Sequence, residues 1–148
     1  MQTEVVVVLN NIRSLYNVGS IFRTSDALGI KKLYLCGITG TPKNPRLEKT
    51  ALKAMDAVEW EYKNSAFRTV RHLKKQGYKI VSLEIAKNSK ELKPISGKVA
   101  LVLGHELSGV EDRIIKESDD VLHIPMKGVG TSMNVAVAYG IAAYILTQ

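Results

Sequence analysis

The chain has few of the residues that build disulfide scaffolds and metal centres. Its 148 residues include one cysteine, Cys36, and three scattered histidines. One cysteine excludes an internal disulfide and fits a reducing compartment. The histidines do not have the spacing of metal ligands. We therefore expect a cytoplasmic protein without a metal site.

Long hydrophobic runs are also missing. The first ten residues contain an apolar run of only five, residues 5–9, with no basic segment before it. A run of this length is too short for the core of a signal peptide or for a membrane span. No repeat or linker interrupts the rest of the chain. We predict one soluble domain that does not associate with membranes.

Positive charge is in excess. Lysine and arginine total 21 against 14 aspartates and glutamates, which gives a formal net charge of +7. A compact basic domain attracts polyanions, of which nucleic acid is the commonest large one. Surplus lysine that keeps the protein soluble is the alternative interpretation, and charge alone leaves both open.

Short runs rich in β-branched residues alternate with segments of helical period. The pattern predicts strands at 4–9, 32–36, 58–62, 79–85, 99–103 and 121–124, and helices near 17–28, 47–55, 65–76, 111–117 and 132–146. Such alternation with apolar strands predicts an α/β fold, in which helices cover both faces of a parallel sheet. In these sheets ligands bind beyond the carboxyl ends of the strands.

The last predicted helix is unusually apolar. No charged residue occurs from Gly128 to Gln148, and residues 135–146 are apolar or small on every side. A helix of this kind must be buried, either in a core or against another subunit. Twelve residues are well short of the roughly twenty that cross a membrane. We favour a buried helix that also forms a dimer interface over a purely internal one.

Polar side chains share one face of the first predicted helix. On a helical wheel Asn17, Ser20, Arg23, Thr24 and Ala27 fall on one arc, and Val18, Ile21, Phe22, Ser25 and Leu28 fall on another. The second arc is a core face. The first follows a strand directly, and a planar guanidinium is a natural partner for phosphate. Alternatively, Asn17 is a helix N-cap and Arg23 is a solvated surface residue.

A glycine turn follows the fifth predicted strand. Gly104 allows the backbone to approach a ligand closely, Gly109 allows the chain to turn again, and Glu106 lies between them. The Glu106 carboxylate could accept hydrogen bonds from a ligand or balance a cationic one. An ordinary loop carboxylate near a helix start is the alternative interpretation.

A second glycine-bearing segment leads into the apolar helix. Gly128 and Gly130 followed by Ser132 are typical of a backbone-lined cradle at a helix N-terminus. The segment is not a P-loop, because no Gly-Lys-Ser/Thr follows, and Met133 occupies the place of the third glycine of a dinucleotide fingerprint. Alternatively, Ser132 and Asn134 simply cap the last helix.

Taken in order, these three segments resemble the SpoU-type (TrmH-like) RNA ribose methyltransferases of the SPOUT superfamily. Residues 11–24 match N-x-R-S-x-x-N-x-G-x-x-x-R-T, residues 103–109 match L-G-x-E-x-x-G, and residues 124–138 match I-P-M-x-G-x-x-x-S-[LM]-N-V-x-V-A. Residues 46–62 resemble the intervening helix and strand of that family. Each motif alone is moderately specific, but three in this order along nearly the whole chain are highly specific.

The resemblance implies an enzyme that methylates a ribose 2′-hydroxyl of tRNA or rRNA with S-adenosylmethionine as cofactor. It implies a C-terminal trefoil knot (the alpha/beta knot of SPOUT proteins) and a homodimer formed through the last helix. The implied catalytic residues are Asn17, Arg23, Glu106, Ser132 and Asn134. The implied cofactor-binding residues are Leu103, Gly104, Ile124, Met126, Ser132 and Met133.

The chain departs from the family pattern at few positions. Met133 stands where leucine is usual, a swap that conserves volume, and Ala136 replaces a common serine. Many relatives carry an additional N-terminal RNA-binding domain. We expect residues 1–148 to form a single SpoU-type domain without one, so that the dimer surface or a partner selects the target.

Substrate contacts follow from the chemistry of the groups. A guanidinium stays charged in proteins, so we expect Arg23 to bind a phosphate and stabilise the attacking oxygen, while Ser132 and Asn134 position the hydroxyl. The basic residues Lys43, Arg46 and Lys49 are candidate RNA-backbone contacts, with a solvated helix face as the alternative.

Two other functions remain open at this point. One is a non-catalytic RNA-binding module that retains the fold, which the intact polar set argues against. The other is methylation of a base nitrogen, for which no matched general base stands out.

Overall fold

The computed structural model of the chain describes residues 3–130 and 132–148, with the backbone alone at 48–52. The strands are β1 (Glu4–Asn10), β2 (Lys32–Cys36), β3 (Trp60–Lys63), β4 (Lys79–Leu83), β5 (Lys90–Glu91), β6 (Lys98–Leu103) and β7 (Asp120–His123). The helices are α1 (Leu15–Leu28), α2 (Pro45–Ala57), α3 (Ala66–Lys75), α4 (Asp112–Glu117) and α5 (Val135–Leu146).

The strands form one sheet in the order β3-β2-β1-β6-β4-β7-β5. Every pairing is parallel, and Val8 of β1 lies between Tyr34 of β2 and Val102 of β6. The prediction of an α/β fold with a parallel sheet is confirmed. Because all strands run the same way, their carboxyl ends share one edge of the sheet, which is where ligands bind in such folds. The threading of the chain into a trefoil knot stays a prediction.

Helices cover both faces of the sheet, as the continuous apolar strands require. Residues 5–9 of β1 are all buried, and their side chains alternate between two cores. On one face Val5 and Val7 pack in a core with residues of α1, α2 and α5. On the other face Val6 and Val8 pack in a core with residues of α3 and α4.

Side-chain caps correct the predicted starts of two helices. Ser14 is the N-cap of α1, because its Oγ accepts a hydrogen bond from the backbone N–H of Asn17 at 3.1 Å. The interpretation of Asn17 as the cap is therefore wrong. The last helix begins at Val135 and not at Ser132, because Asn134 is its N-cap.

Three strand predictions also need correction. The fourth strand ends at Leu83 and not at residue 85, and β3 and β7 are shifted along the chain by one or two residues from the predicted ranges. The two-residue strand β5 was not predicted, since two residues carry no period that a sequence pattern can show. It lies at the edge of the sheet beside β7.

The apolar helix α5 is buried on one side only within this single chain. Tyr139, Ala142, Ala143 and Leu146 are buried, and the Tyr139 hydroxyl lies 2.7 Å from the Ser25 hydroxyl of α1. Val137, Ile141 and Tyr144 form an exposed stripe on the same helix, with 55%, 40% and 54% of their surface accessible. Within the described residues, no helix has the length and apolar character needed to cross a membrane.

Candidate functional site

A cavity of about 540 Å³ opens at the carboxyl ends of β4, β6 and β7. This volume lies within the range of about 300–1,000 Å³ that is typical of small-molecule sites. Its walls come from residues 83–85 and 103–109, together with His123, Ile124, Met126, Ser132, Met133, Val135 and Ala138. We call residues 104–109 the glycine turn and residues 124–134 the approach segment.

Backbone hydrogen bonds close the glycine turn. His105 and Gly109 exchange both backbone hydrogen bonds, at 3.1 and 2.9 Å. The His105 ring folds back over the turn, and its Nδ1 accepts from the N–H groups of Leu107 at 3.0 Å and Ser108 at 3.2 Å. The turn is thus held by four hydrogen bonds of its own.

Glycine is required at the start of this turn. A Cβ built on Gly104 would lie 2.3 Å from the carbonyl carbon of Gly109 and 2.4 Å from the backbone nitrogen of Val110. Both neighbours are backbone atoms, so neither can move without opening the turn. This close approach occurs between two parts of the chain itself, and approach of a ligand to Gly104 stays a prediction.

Glu84, directly after β4, holds the end of the glycine turn. Its Oε2 accepts from the Val110 N–H at 2.8 Å, and its Oε1 accepts from the Ile85 N–H at 3.1 Å. Glu84 lines the cavity, and sequence reasoning missed it because the fourth strand was extended to residue 85. The available signal was a carboxylate that directly follows a buried run.

Glu106 joins the glycine turn to the start of α1. Its Oε1 accepts from the Arg13 N–H at 3.0 Å, while its Oε2 accepts from the Ser14 N–H at 3.1 Å and from Asn17 Nδ2 at 3.4 Å. Burial acts to raise the pKa of Glu106, but these hydrogen bonds to the charged form outweigh it and hold the pKa below its ordinary value. The carboxylate is therefore ionised at neutral pH.

Asn17 and Asn134 extend this polar chain to α5. Asn134 Nδ2 donates to Asn17 Oδ1 at 3.2 Å, and Asn134 Oδ1 accepts from the N–H groups of Ala136 at 2.9 Å and Val137 at 3.1 Å. Asn17 is buried. The hydrogen-bonded chain Glu106–Asn17–Asn134 therefore connects one residue from each of the three sequence motifs.

All six residues expected to bind the cofactor line the cavity. Leu103 and Gly104 come from the end of β6, Ile124 and Met126 from the segment after β7, and Ser132 and Met133 from the segment before α5. Tertiary structure thus brings together residues that are up to thirty positions apart. Their roles stay predictions.

The chemistry of this lining fits S-adenosylmethionine. Leu103, Met126 and Met133 offer apolar and polarisable surface for a flat heterocycle, and the carboxylates of Glu84 and Glu106 offer negative charge for a cationic group. Within the described residues, no group of three or more potential ligands is placed to hold a metal ion.

Arg23 lies apart from the cavity within this chain. It is exposed on α1, six residues or about 9 Å of helix rise beyond Asn17, and it is not among the residues that line the cavity. Within the described part of the chain, no carboxylate pairs with it. The alternative of a solvated surface residue therefore describes the surroundings of Arg23 within this chain.

The expected RNA contacts lie at the start of α2. Lys43 and Arg46 are exposed. They flank Asn44, which caps the helix by accepting from the Arg46 N–H at 3.0 Å. The side chain of Lys49 lies outside the described residues. Neither Lys43 nor Arg46 lines the cavity.

Named relatives cover nearly the whole chain. The tRNA (guanosine(18)-2'-O)-methyltransferase of Aquifex aeolicus is 30% identical over 148 residues, covering 97% of this chain and 68% of the relative. The 23S rRNA (guanosine-2'-O-)-methyltransferase RlmB of Vibrio vulnificus is 30% identical over 144 residues, covering 96% of this chain and 58% of the relative. The chain therefore spans about three-fifths to two-thirds of the length of these relatives.

The fold matches solved structures of such enzymes. The AdoMet-bound rRNA methyltransferase from Sinorhizobium meliloti superposes with a TM-score of 0.89 at 27% identity, over 97% of this chain and 56% of that one. The sequence pattern of the SpoU rRNA Methylase family matches residues 4–144. The chain belongs to the SpoU rRNA methylase family, as its three motifs predicted.

Proposed function

We propose that this chain transfers a methyl group from S-adenosylmethionine to a ribose 2′-hydroxyl of tRNA or rRNA. The observation that carries the proposal is a single cavity lined by all six expected cofactor residues and by Glu106, which begins the polar chain through Asn17 to Asn134. Family membership and the activities in the names of the two relatives support the same reaction.

Alignment is the main task of the cavity residues. S-adenosylmethionine supplies an already activated methyl group on a sulfonium when it is bound. Gly104 exposes backbone to the ligand, and the side chains of Leu103, Met126 and Met133 pack around it. Holding two reactants in a near-attack geometry supplies at best on the order of 7–11 kcal/mol.

Arg23 is assigned to the substrate and not to the cofactor. A ribose hydroxyl is a weak acid, so charge that develops on the attacking oxygen needs stabilisation. The exposed Arg23 guanidinium binds the neighbouring phosphate and stabilises that oxygen, and an approaching RNA or second protomer brings the cavity and Arg23 together. Arg23→Lys keeps the charge but loses the bidentate fork, so we expect turnover to fall at least tenfold.

The polar chain limits which residues can accept the proton. Glu106 is a weak base because three hydrogen bonds hold its carboxylate ionised, so it acts as an anchor. The side-chain carbonyl of Asn134 caps α5, and one of its two amide N–H groups donates to Asn17. The second amide N–H can position the ribose hydroxyl. The exposed Ser132 hydroxyl takes the same positioning role.

A homodimer is proposed from the exposed stripe of α5. Val137, Ile141 and Tyr144 lie on one side of a helix without charged residues, and burying such apolar surface stabilises association. Ile141→Lys shifts sedimentation equilibrium towards monomer. Ile38→Lys, at a more exposed apolar residue after β2, leaves the association state unchanged. Equal behaviour of the two variants contradicts an interface on α5.

Three further expectations become proposals here. They are the trefoil knot that the resemblance implies, the folding of residues 1–148 as one SpoU-type domain, and a cytoplasmic location, which suits the free, buried Cys36. An experimental electron-density trace of residues 83–134 decides the knot. Cell fractionation decides the location.

Cofactor binding and methyl transfer test the proposed reaction separately. Isothermal titration calorimetry measures binding of S-adenosylmethionine, and tritium transfer to total RNA followed by nuclease mapping identifies the modified nucleoside. We expect a 2′-O-methyl nucleotide. Cofactor binding without transfer to any RNA points to a non-catalytic module, and a methylated base points to a different reaction.

The RNA class needs a cellular measurement. One named relative acts on tRNA and the other on 23S rRNA. Mapping 2′-O-methylation in RNA from a deletion strain and its complemented parent identifies the missing mark. Complementation with the Arg23→Lys chain controls for effects of protein loss that do not depend on catalysis.

A further inference from the structure

A second cleft, of about 480 Å³, lies on α3, which covers the opposite face of the sheet from α1 and α5. We call it the α3 cleft. Its lining residues are Ser65, Phe67, Arg68, Arg71, His72, Lys75 and Arg113. Five of these seven side chains carry basic groups, and none carries a carboxylate. A concave surface of this composition has the chemistry of an anion site.

An aromatic ring organises two of the arginines. The Arg113 guanidinium carbon lies 4.6 Å from the centre of the Phe67 ring, and that of Arg71 lies 5.7 Å from it. Both distances are those of cation–π contacts. Arg113 also pairs with Glu111 at 3.6 Å, whereas Arg68, Arg71 and Lys75 have no ion pair within the described part of the chain. Three cations therefore remain for a ligand.

The helix dipole does not account for all of this charge. Basic residues in the last turn of α3, such as Lys75, interact favourably with the negative end of the helix. Arg68 lies in the first turn, where its backbone N–H donates to the Ser65 cap at 3.2 Å. A cation is electrostatically disfavoured at that end of a helix. An anionic ligand at the cleft removes this conflict.

The cleft reaches the same edge of the sheet as the cavity. The helix α3 begins directly after β3, and α4 begins after the glycine turn that follows β6. Arg68 and Arg113 therefore lie near the carboxyl ends of the parallel strands, where the cavity also opens. A polyanion too long for the cavity can continue from this edge onto the α3 cleft.

We propose that the α3 cleft binds the phosphodiester backbone of the RNA whose ribose enters the cavity. The identity of that RNA rests on the proposed function, whereas the backbone contact is independent of methyl transfer. Contacts of this kind position an RNA without reading its sequence. The RNA contacts predicted from the sequence, Lys43, Arg46 and Lys49, lie elsewhere. The α3 cleft was not predicted because it forms only when α3 and α4 pack together.

A paired-charge experiment tests the cleft. The variant Arg68→Gln/Arg71→Gln removes two cations from exposed positions of α3. The control Lys90→Gln/Lys93→Gln removes the same charge at exposed positions on and after β5, which line neither cavity. Fluorescence anisotropy measures the dissociation constant of labelled bulk tRNA and of poly(U) at several salt concentrations.

We expect RNA affinity to fall at least tenfold in the cleft variant and less than threefold in the control. The slope of log K against log salt falls in magnitude by about 1.4–1.8, since two phosphate contacts are lost. The charge-retaining variant Arg68→Lys/Arg71→Lys recovers most of the affinity. Equal affinities and slopes in the cleft variant and the control overturn the proposal.

Two further readouts separate this proposal from neighbouring ones. Calorimetric S-adenosylmethionine binding stays unchanged in the cleft variant, which distinguishes failure of the cleft from failure of the cofactor cavity. Inorganic pyrophosphate is titrated as a competitor. If it binds the wild-type cleft while the substitutions leave RNA affinity unchanged, the site is one for small anions and the RNA assignment is wrong.

Discussion

The two glycine-bearing segments that contribute to the cavity wall, the glycine turn and the approach segment, are held in different ways. The glycine turn is closed by its own hydrogen bonds and is tied to β4 by Glu84 and to α1 by Glu106. In the approach segment, by contrast, Asn134 is the only described residue that takes part in hydrogen bonds. The glycine turn is therefore held by the protein's own contacts, while the described residues of the approach segment other than Asn134 keep their polar groups available for a ligand.

This difference lets one cavity hold a ligand in a fixed position and still open to admit it. A wall that is rigid before binding costs little ordering entropy when the ligand arrives. A wall with few internal contacts opens at low free energy and admits the ligand. We expect substitutions in the glycine turn to damage both stability and binding, and substitutions in the approach segment to act mainly on binding.

The largest effect is expected from Gly104→Ala. The new Cβ would meet the backbone of Gly109 at 2.3 Å, so the turn must open. We expect a loss of about 3 kcal/mol in the free energy of unfolding, near the upper end for overpacking. S-adenosylmethionine binding should weaken at least a hundredfold. Urea denaturation and calorimetry measure the two effects.

Gly128→Ala is the matched control in the approach segment. A Cβ at Gly128 meets no atom within 4 Å. The free energy of unfolding should change by less than about 0.5 kcal/mol. Equal destabilisation by the two alanine substitutions would mean that the two walls do not differ in rigidity.

Glu106→Gln comes next in size. The amide retains one acceptor oxygen for three donors, and charged hydrogen bonds are the stronger ones, so we expect a loss of about 1–3 kcal/mol at neutral pH. Glu91→Gln on β5 is the control, because this exposed carboxylate forms no ion pair within the described residues. Urea denaturation at pH 7 compares the two variants.

The same pair gives a pH test with a definite sign. The pKa of Glu106 is lower in the folded state than its ordinary value, so the ionised group stabilises the fold at neutral pH. That contribution is lost as the pH falls from about 4.3 through the folded-state pKa. The difference in stability between wild type and Glu106→Gln should shrink in that window. A constant difference contradicts the role of the charge.

A smaller effect is expected from Asn134→Ala. Loss of the N-cap of α5 costs about 1 kcal/mol. Asn134→Asp keeps the cap oxygen but loses the amide donor to Asn17, so it separates capping from the polar chain. We expect Asn134→Asp to retain wild-type stability and to lose turnover, as measured by thermal unfolding and tritium transfer. Loss of stability in both variants would assign Asn134 a structural role only.

The smallest expected effect involves no substitution and is measured by hydrogen exchange when the cofactor binds. Saturating S-adenosylmethionine should slow amide hydrogen exchange in the approach segment more than in the glycine turn, which is protected already. Hydrogen–deuterium exchange with mass spectrometry compares peptides from the two walls. Equal slowing in both walls, or slowing in the glycine turn alone, contradicts the comparison.

Much of the fold was predictable because its signals are local. The run of residues 5–9 predicts a central strand, and the wheel of α1 correctly separates buried Ile21 and Phe22 from exposed Arg23. The cavity lining was predictable for another reason, since the second and third motifs lie at or just beyond strand ends and all three motifs identify the family. Glu84 was not predicted as a site residue because no motif surrounds it. Apart from Ile85, its partners are 25 or more residues away in the chain.

By itself, the amino-acid sequence determined the alternation of strands and helices, the apolar character of α5 and the three motifs, because each depends on residues close together in the chain. Only tertiary structure decided that Glu106 anchors α1, that Asn17 and Asn134 are hydrogen-bonded partners and that Arg113 approaches Phe67 to complete the α3 cleft. The Phe67–Arg113, Glu106–Arg13 and Asn17–Asn134 contacts join residues that are 46, 93 and 117 positions apart. Their pairing follows from strand order and helix packing, which no local pattern encodes.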